Sequence, residues 1–221
     1  MSSTPRIEIG SITAQAVLDA LDGVAYLVAP DGTLLAVGGR TWTPFAEANG
    51  APALEPRQVV GRSLFEMIEG TEVRDVYRRL HEAVRTRRRP NVTFDYRCDA
   101  PALRREMRLS ISPVEAGGAL VALLYQSQVK LARVRPEMSL FLPELRLGAR
   151  KPYSDERLVS LCDFCHRVAW PIGPPRHGRR WIEPEDYYRR GGPADMIVSH
   201  GICPDCHARV EEAGAPDEAT A

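Results

Sequence analysis

The chain has 221 residues, 44% of them hydrophobic and 26% charged, with 29 basic against 29 acidic side chains and five cysteines. That length accommodates one large domain or two modest ones, and the composition is that of a globular protein rather than a disordered or membrane-spanning one. The zero net charge hides a division: residues 151–221 carry 9 Lys and Arg against 12 Asp and Glu, and an acidic C-terminal part is repelled by a phosphate backbone, which weighs against nucleic acid as a partner.

Met1-Ser2-Ser3-Thr4-Pro5 lacks the basic-then-apolar pattern of a secretion signal, so the expectation is a cytoplasmic protein whose cysteines stay reduced. Residues 1–13 read as a flexible lead-in. Thr13 is placed to cap a short amphipathic helix over Ala14–Leu21, with Gly23 after its end. Val24–Ala29 and Thr33–Val37 flank Pro30-Asp31-Gly32, in which Pro presets φ and Gly tolerates the left-handed region, so a hairpin is predicted. Gly38–Arg57 contains Pro44, Pro52 and Pro56 and is expected to be irregular, with one helical turn over Phe45–Ala48. Ser63 then caps a short helix burying Leu64, Phe65 and Ile68.

A longer helix is predicted over Glu72–Arg87, because Val73, Val76, Tyr77, Leu80 and Val84 share one stripe at 100° per residue. Arg85, Arg87, Arg88 and Arg89 close it as a solvated basic end, favourable against the helix dipole. Val92–Cys98, Met107–Ser112 and Ala119–Tyr125 read as three strands, with Cys98 as a core thiol.

The predicted class is therefore α+β: a five-stranded antiparallel sheet with helices grouped on one face. With Asp31-Gly32 in the first hairpin, Val60-Gly61-Arg62-Ser63-Leu64-Phe65 before the central helices and Ile111-Ser112-Pro113-Val114 near the close, residues 14–130 resemble a PAS domain. Departures from the family pattern are Gly38-Gly39-Arg40-Thr41, where an asparagine phrase is common, and the absence of the Asn-Cys-Arg-Phe phrase of flavin photosensors. The resemblance implies a sensor domain that binds a small ligand or a partner and commonly dimerises. It also makes His81, on the long helix, the candidate haem ligand; beside arginines on a helix surface the histidine reads as solvated, and neither haem nor flavin is expected.

Residues 131–157 form a proline-interrupted connector anchored by Met138–Leu142, Leu145 and Leu147, expected to hold one or two short helices. Residues 158–212 are then organised by Cys162-Asp163-Phe164-Cys165 and Cys203-Pro204-Asp205-Cys206, separated by 37 residues. Two Cys-x-x-Cys turns supply a complete tetrahedral sulfur shell, the chemistry of a closed structural Zn²⁺ site. Iron also uses such pairs, but glycine usually follows each knuckle there, whereas His166 and His207 follow here.

The first pair is expected to crown a hairpin of Leu158–Leu161 with Val168–Trp170. Trp181–Glu183 opens a second segment, Pro184–Tyr188 begins a short helix, Met196–Ser199 reads as a strand, and Pro204–Glu212 as a helix bearing the last two sulfurs at its start. The module is treble-clef-like. Cys162, Cys165, Trp181 and the run Ser199-His200-Gly201-Ile202-Cys203-Pro204 with Cys206 resemble a cysteine module at the C-termini of bacterial PAS and response-regulator proteins. His200 is expected to supply a hydrogen bond behind the ligands, His166, His177 and His207 to be surface residues, and residues 213–221 to form a flexible tail.

No phosphate-binding glycine loop, nucleophile elbow or kinase signature is present, so no enzyme is expected. The leading expectation is a cytoplasmic signalling protein, dimeric, acting through a partner such as a two-component regulator. A zinc-dependent DNA-binding regulator and a thiol redox switch are the alternatives.

Overall fold

Thr13 opens the first element: its Oγ1 accepts the Ala16 N–H at 3.1 Å, capping helix α1 (Ala14–Ala20). The structure is a computed structural model and describes residues 12–52, 54–142, 145, 158–171 and 179–215. Strands β1 (Val24–Val28) and β2 (Leu34–Val37) follow as the predicted hairpin. Its turn is closed by the Thr33 N–H donating to Asp31 Oδ1 at 2.8 Å, and Gly32 takes φ 94°, a conformation that an L side chain rarely adopts.

In place of an irregular segment, helix α2 spans Gly39–Ala48 with Pro44 inside it, and a short helix α3 covers Pro56–Val59. A proline forfeits one backbone hydrogen bond, but Trp42 packs edge-on against Tyr26 at 5.7 Å and its indole N–H donates to the Leu54 carbonyl at 2.6 Å, so tertiary contacts hold the helix. Leu64–Met67 is a 3₁₀ turn that buries Leu64 and Phe65; Ser63 makes no side-chain cap and Ile68 lies beyond the turn, half-buried.

Helix α4 (Thr71–Arg85) buries the predicted stripe of Val73, Val76, Leu80 and Val84, together with His81 and Ala83. It stops two residues before the predicted end, at a turn in which Arg87 adopts φ 60°. Arg85, Arg87 and Arg88 are exposed, as a basic helix end should be, while Arg89 donates to the Glu212 carbonyl at 2.8 Å.

Strands β3 (Val92–Arg97), β4 (Leu103–Ala116) and β5 (Ala119–Val134) complete an antiparallel sheet of order β2-β1-β5-β4-β3. Both β4 and β5 run well beyond the predicted segments, pairing from Ala116↔Ala119 to Leu103↔Val134. Much of the added stretch is polar, with Arg104, Arg105, Gln126, Gln128 and Arg133, and only Val129 and Leu131 alternate within it, so pairing more than pattern extends the strands. Helix α4 contributes Val76, Leu80 and Val84 to one core with Val28, Leu34, Leu109, Ile111, Leu123 and Tyr125. The α+β class with a PAS-like sheet is as predicted.

Strand β5 runs into the expected connector as far as Val134, and among the described residues a 3₁₀ turn, Ser139–Phe141, follows as one short helical element. Leu140 and Phe141 from that turn pack with Val159, Leu161, Val168 and Tyr187 of the following module. Residues 146–157, His177, the lead-in before Ile12 and the tail beyond Ala215 lie outside the described residues.

The second sheet has order β8-β7-β6-β9, from β6 (Leu158–Cys162), β7 (Val168–Trp170), β8 (Arg180–Ile182) and β9 (Ile197–Gly201). The β6–β7 hairpin carries the first cysteine pair, and β6 and β9 run parallel, which aligns the two pairs at one end of the sheet. Helix α5 (Pro184–Arg189) and helix α6 (Pro204–Gly214) complete the module.

Candidate metal centre

Parallel pairing of β6 with β9 brings Cys162 opposite Gly201, so each strand ends where its cysteine turn begins. In the first turn the His166 N–H donates to the Cys162 carbonyl at 2.8 Å and the Cys162 N–H to Arg167 O at 2.9 Å. His166 takes φ 57°, the left-handed conformation usually left to glycine at such a point. It is held there by the Asp99 N–H, which donates to its Nδ1 at 3.3 Å, and by the Phe141 ring 5.3 Å away. His166 is therefore a largely buried link to the first sheet, not the expected surface residue.

In the second turn Cys203 is the N-cap of α6, with Pro204 in the first helical turn and Asp205 beside it. The Cys206 N–H donates to Cys203 Sγ at 3.4 Å, the Cys203 N–H to Cys162 Sγ at 3.3 Å, and Arg209 Nη2 to Cys206 Sγ at 3.0 Å. Such donors stabilise thiolate charge.

The four sulfurs of Cys162, Cys165, Cys203 and Cys206 all lie within 4.8 Å of one another, and Cys165 Sγ is 3.6 Å from Cys203 Sγ. A tetrahedral ion at the Zn–S bond length of 2.3 Å separates its sulfurs by about 3.8 Å, so the donor set, spacing and burial fit a divalent metal. Hydrogen bonding from Cys165 draws the Cys162 thiol down to about 7, and hydrogen bonding from Cys162 does the same for Cys203. Cys165 is pushed above the ordinary thiol range by the same contacts, Cys162 first. A bound cation supplies the positive charge that lets all four sulfurs ionise together.

Phe164, between the two ligands of the first turn, is 2% exposed and reaches out of the module. Its ring stacks on Tyr77 of α4 at 6.2 Å and meets Phe94 of β3 at 5.6 Å. Cys162, Phe164, Cys203, Cys206 and Val210 consequently belong to the same apolar core as Val76 and Leu80. Replacing Phe164 with leucine keeps an apolar filler but removes both aromatic contacts. The expected loss is about 1–2 kcal/mol in thermal unfolding, and no measurable loss would show that the ring is not the joint between the sheets.

A polar joint lies beside this apolar one. The Arg97 N–H donates to Phe164 O at 2.8 Å, and its guanidinium donates to Cys165 O at 3.2 Å, to Glu183 Oε2 at 2.7 Å and to Asp99. Asp99, whose carboxylate is fully buried, also pairs with Arg135 Nη1 at 2.9 Å and accepts the Arg105 N–H at 3.1 Å. Burial alone would raise the Asp99 carboxyl, but hydrogen bonds and charge from His166 and Arg97 reverse this and hold it well below the usual range. None of Arg97, Asp99, Phe164, Glu183 or Arg209 stands out as a functional residue in the sequence. The available signals were an Arg–Asp pair closing a strand, an aromatic between two ligands, and an arginine one helical turn after Cys206.

His200 lies on β9 with its Nδ1 in hydrogen-bond contact with the Asp163 carboxylate, and the Asp163 N–H donates to Gly201 O at 3.0 Å. The residue thus ties β9 to the first cysteine turn. His207 is exposed on α6, and Cys98 lies away from the cluster with its thiol 3.5 Å from Asn49 Oδ1.

His81 is not solvated. It is 3% exposed, and the Phe65 ring closes on it edge-on at 5.3 Å. The Pro30 carbonyl, 3.2 Å away, can only accept, so Nε2 carries the proton and Nδ1 accepts the Tyr125 hydroxyl at 2.9 Å. Both nitrogens that could ligate haem iron are engaged. Burial lowers the His81 pKa, so the folded chain favours the neutral ring. The resulting stability is complete above the unfolded value of about 6.5 and is lost as pH falls from there through the depressed folded value. Tyr125→Phe should cost about 1–3 kcal/mol in urea unfolding at neutral pH by orphaning Nδ1; an unchanged midpoint would refute this hydrogen bond.

Among the described residues, no helix is long and apolar enough to cross a membrane. No protein-family model and no curated protein matches the chain. Solved structures similar to it include a sensory-box sensor histidine kinase from Vibrio cholerae, at TM-score 0.37 and 13% identity over 51% of this chain and 85% of that one. The PAS domain of BvgS from Bordetella pertussis is similar at TM-score 0.39 and 15% identity, over 53% and 83% of the two chains. The phage VqmA–DPO complex is similar at TM-score 0.39 and 16% identity, over 51% and 49%.

Proposed function

We propose that the chain is a non-enzymatic, cytoplasmic signal-transduction protein in which a PAS-like sensor unit and a structural zinc module act as one coupled body. A small ligand or partner at the sensor unit would shift the balance between its conformations. The module would present a surface to a signalling protein such as a two-component regulator, in a homodimeric assembly. The sequence resemblances of both segments support this reading, as do the element order of the first sheet and the acidic charge of the module, which disfavours nucleic acid.

The single observation that carries it is the placement of four mutually close sulfurs within the core shared with α4. A metal there would hold the module against the sensor unit, so a change on either side would reach the other. Metal analysis and an absorption spectrum of freshly purified chain test this. Zinc at one ion per chain with no visible band is the expected result. A metal-free protein removes the zinc reading, charge-transfer bands of an iron–thiolate centre replace zinc with iron, and a Soret or flavin spectrum replaces the expected sensor chemistry.

A further inference from the structure

The four sulfurs are not equivalent. Cys162 Sγ, Cys203 Sγ and Cys206 Sγ each accept an N–H hydrogen bond, from the Cys203 backbone, the Cys206 backbone and the Arg209 guanidinium respectively. Among the described residues, no N–H group donates to Cys165 Sγ. Burial draws the same distinction independently: Cys162, Cys203 and Cys206 are at most 1% exposed, while Cys165 is only partly covered. A cleft of about 370 Å³ opens onto Cys165 and Cys206 between Arg167, Glu183, Asp205 and Arg209.

An N–H···S bond withdraws charge from a thiolate and lowers its nucleophilicity, and burial denies a reagent its approach. Cys206 reaches the cleft but is covered by Arg209. Among the described residues, Cys165 has no such donor and is only partly covered. We propose that Cys165 is a modification site for small hydroperoxides in the metal-loaded cluster, with Cys203 as the thiolate that resolves the product. The proposal rests on the zinc reading above and adds to it the sulfur at which the centre opens.

The chemistry balances with hydrogen peroxide as oxidant. A sulfur lone pair of Cys165 attacks one peroxide oxygen, the O–O bond breaks, and hydroxide leaves, giving a sulfenic acid. The Cys203 thiolate, 3.6 Å away, then attacks that sulfur; an S–S bond forms, the S–O bond breaks, and a second hydroxide leaves. Two thiolates have supplied two electrons to one peroxide, and solvent protons neutralise the hydroxides. Closing from 3.6 Å to a disulfide requires the two turns to approach by about 1.6 Å. Only Cys162 and Cys206 then remain as ligands, too few to retain the ion in a closed site. The Cys165 carbonyl also accepts from Arg97 at the end of β3, so movement of this turn is felt directly by the first sheet.

The test treats the metal-loaded full chain with equimolar hydrogen peroxide, follows metal release with a chromogenic chelator, and maps sulfenate adducts and disulfides by mass spectrometry. Cys165 is expected to dominate the sulfenate adducts by about tenfold over the other three cluster cysteines, with Cys165–Cys203 as the first disulfide and metal release on the same time course. Arg209→Met, at an exposed position on α6, removes the donor from Cys206 and should make Cys206 a second adduct site. Adducts spread evenly over the four sulfurs, a first disulfide without Cys165, or an unreactive Cys206 in R209M would overturn the proposal. A chain that carries no metal before treatment defeats the zinc reading instead, and metal analysis of the same sample tells the two failures apart.

Discussion

Cys203→Ser is expected to strip the metal from the chain and to lower its thermal midpoint by ~10 °C or more, since at this size each kcal/mol is worth about 2–4 °C. The substitution isolates the metal's contribution. Cys203 caps α6 by accepting the Cys206 N–H, and a serine oxygen performs that task at least as well, so the loss cannot be assigned to the helix end. What disappears is one of four thiolates in a site whose apparent binding free energy is on the order of 10 kcal/mol in isolated zinc peptides. Because Cys162, Cys203 and Cys206 share a core with Val76 and Leu80, the damage should extend beyond the module. Near-ultraviolet circular dichroism of Tyr77 and Phe94 would report it, and a strong chelator should reproduce it in the unmodified chain. Cys98→Ser is the control that retains the metal. Full zinc stoichiometry in C203S would mean that the four sulfurs do not share an ion.

Asp99→Asn should destabilise the fold by about 3–5 kcal/mol, the usual cost of removing one partner from a buried ion pair. The Asp99 carboxylate is completely buried, and the Arg97 and Arg135 side chains that it pairs with are each only 7% exposed. Asparagine preserves shape but removes the fully buried charge that both guanidiniums share, leaving Arg97 with the half-exposed Glu183 and Arg135 with the half-exposed Glu185. Urea unfolding should show a lower midpoint at unchanged slope. Since Arg97 also holds Phe164 O and Cys165 O, metal dissociation should quicken as well. A change below about 1 kcal/mol, the size of an exposed pair, would show that the network is not the joint between the sheets. In the native chain the Asp99 contribution is complete above the unfolded carboxyl value of about 4 and is lost as pH falls toward its depressed folded value.

The parts that could be read in advance were those with a local cause. The hairpin at Asp31-Gly32, the stripe of α4, the two cysteine turns and the strand–helix order of the module each follow from turn chemistry, helical period or ligand spacing within a few residues. The departures share one origin. Helix α2 exists despite Pro44 because Trp42 finds Tyr26 and the Leu54 carbonyl. Strands β4 and β5 continue through polar residues because each completes the other's hydrogen bonds. His81 and His166, both read as surface residues, are enclosed by Phe65, Tyr125 and Asp99 from distant stretches.

By itself, then, the sequence determined the class of each segment and the donor set of the candidate metal centre, since four thiolates in two spaced pairs carry their chemistry with them. Tertiary structure alone decided that the second sheet shares a core with the first, through Phe164 and the Arg97–Asp99 network. It also decided which of the four cysteines is only partly covered. Burial, ion pairing and hydrogen bonding between remote residues are properties of a folded surface, and no local pattern in the chain encodes them.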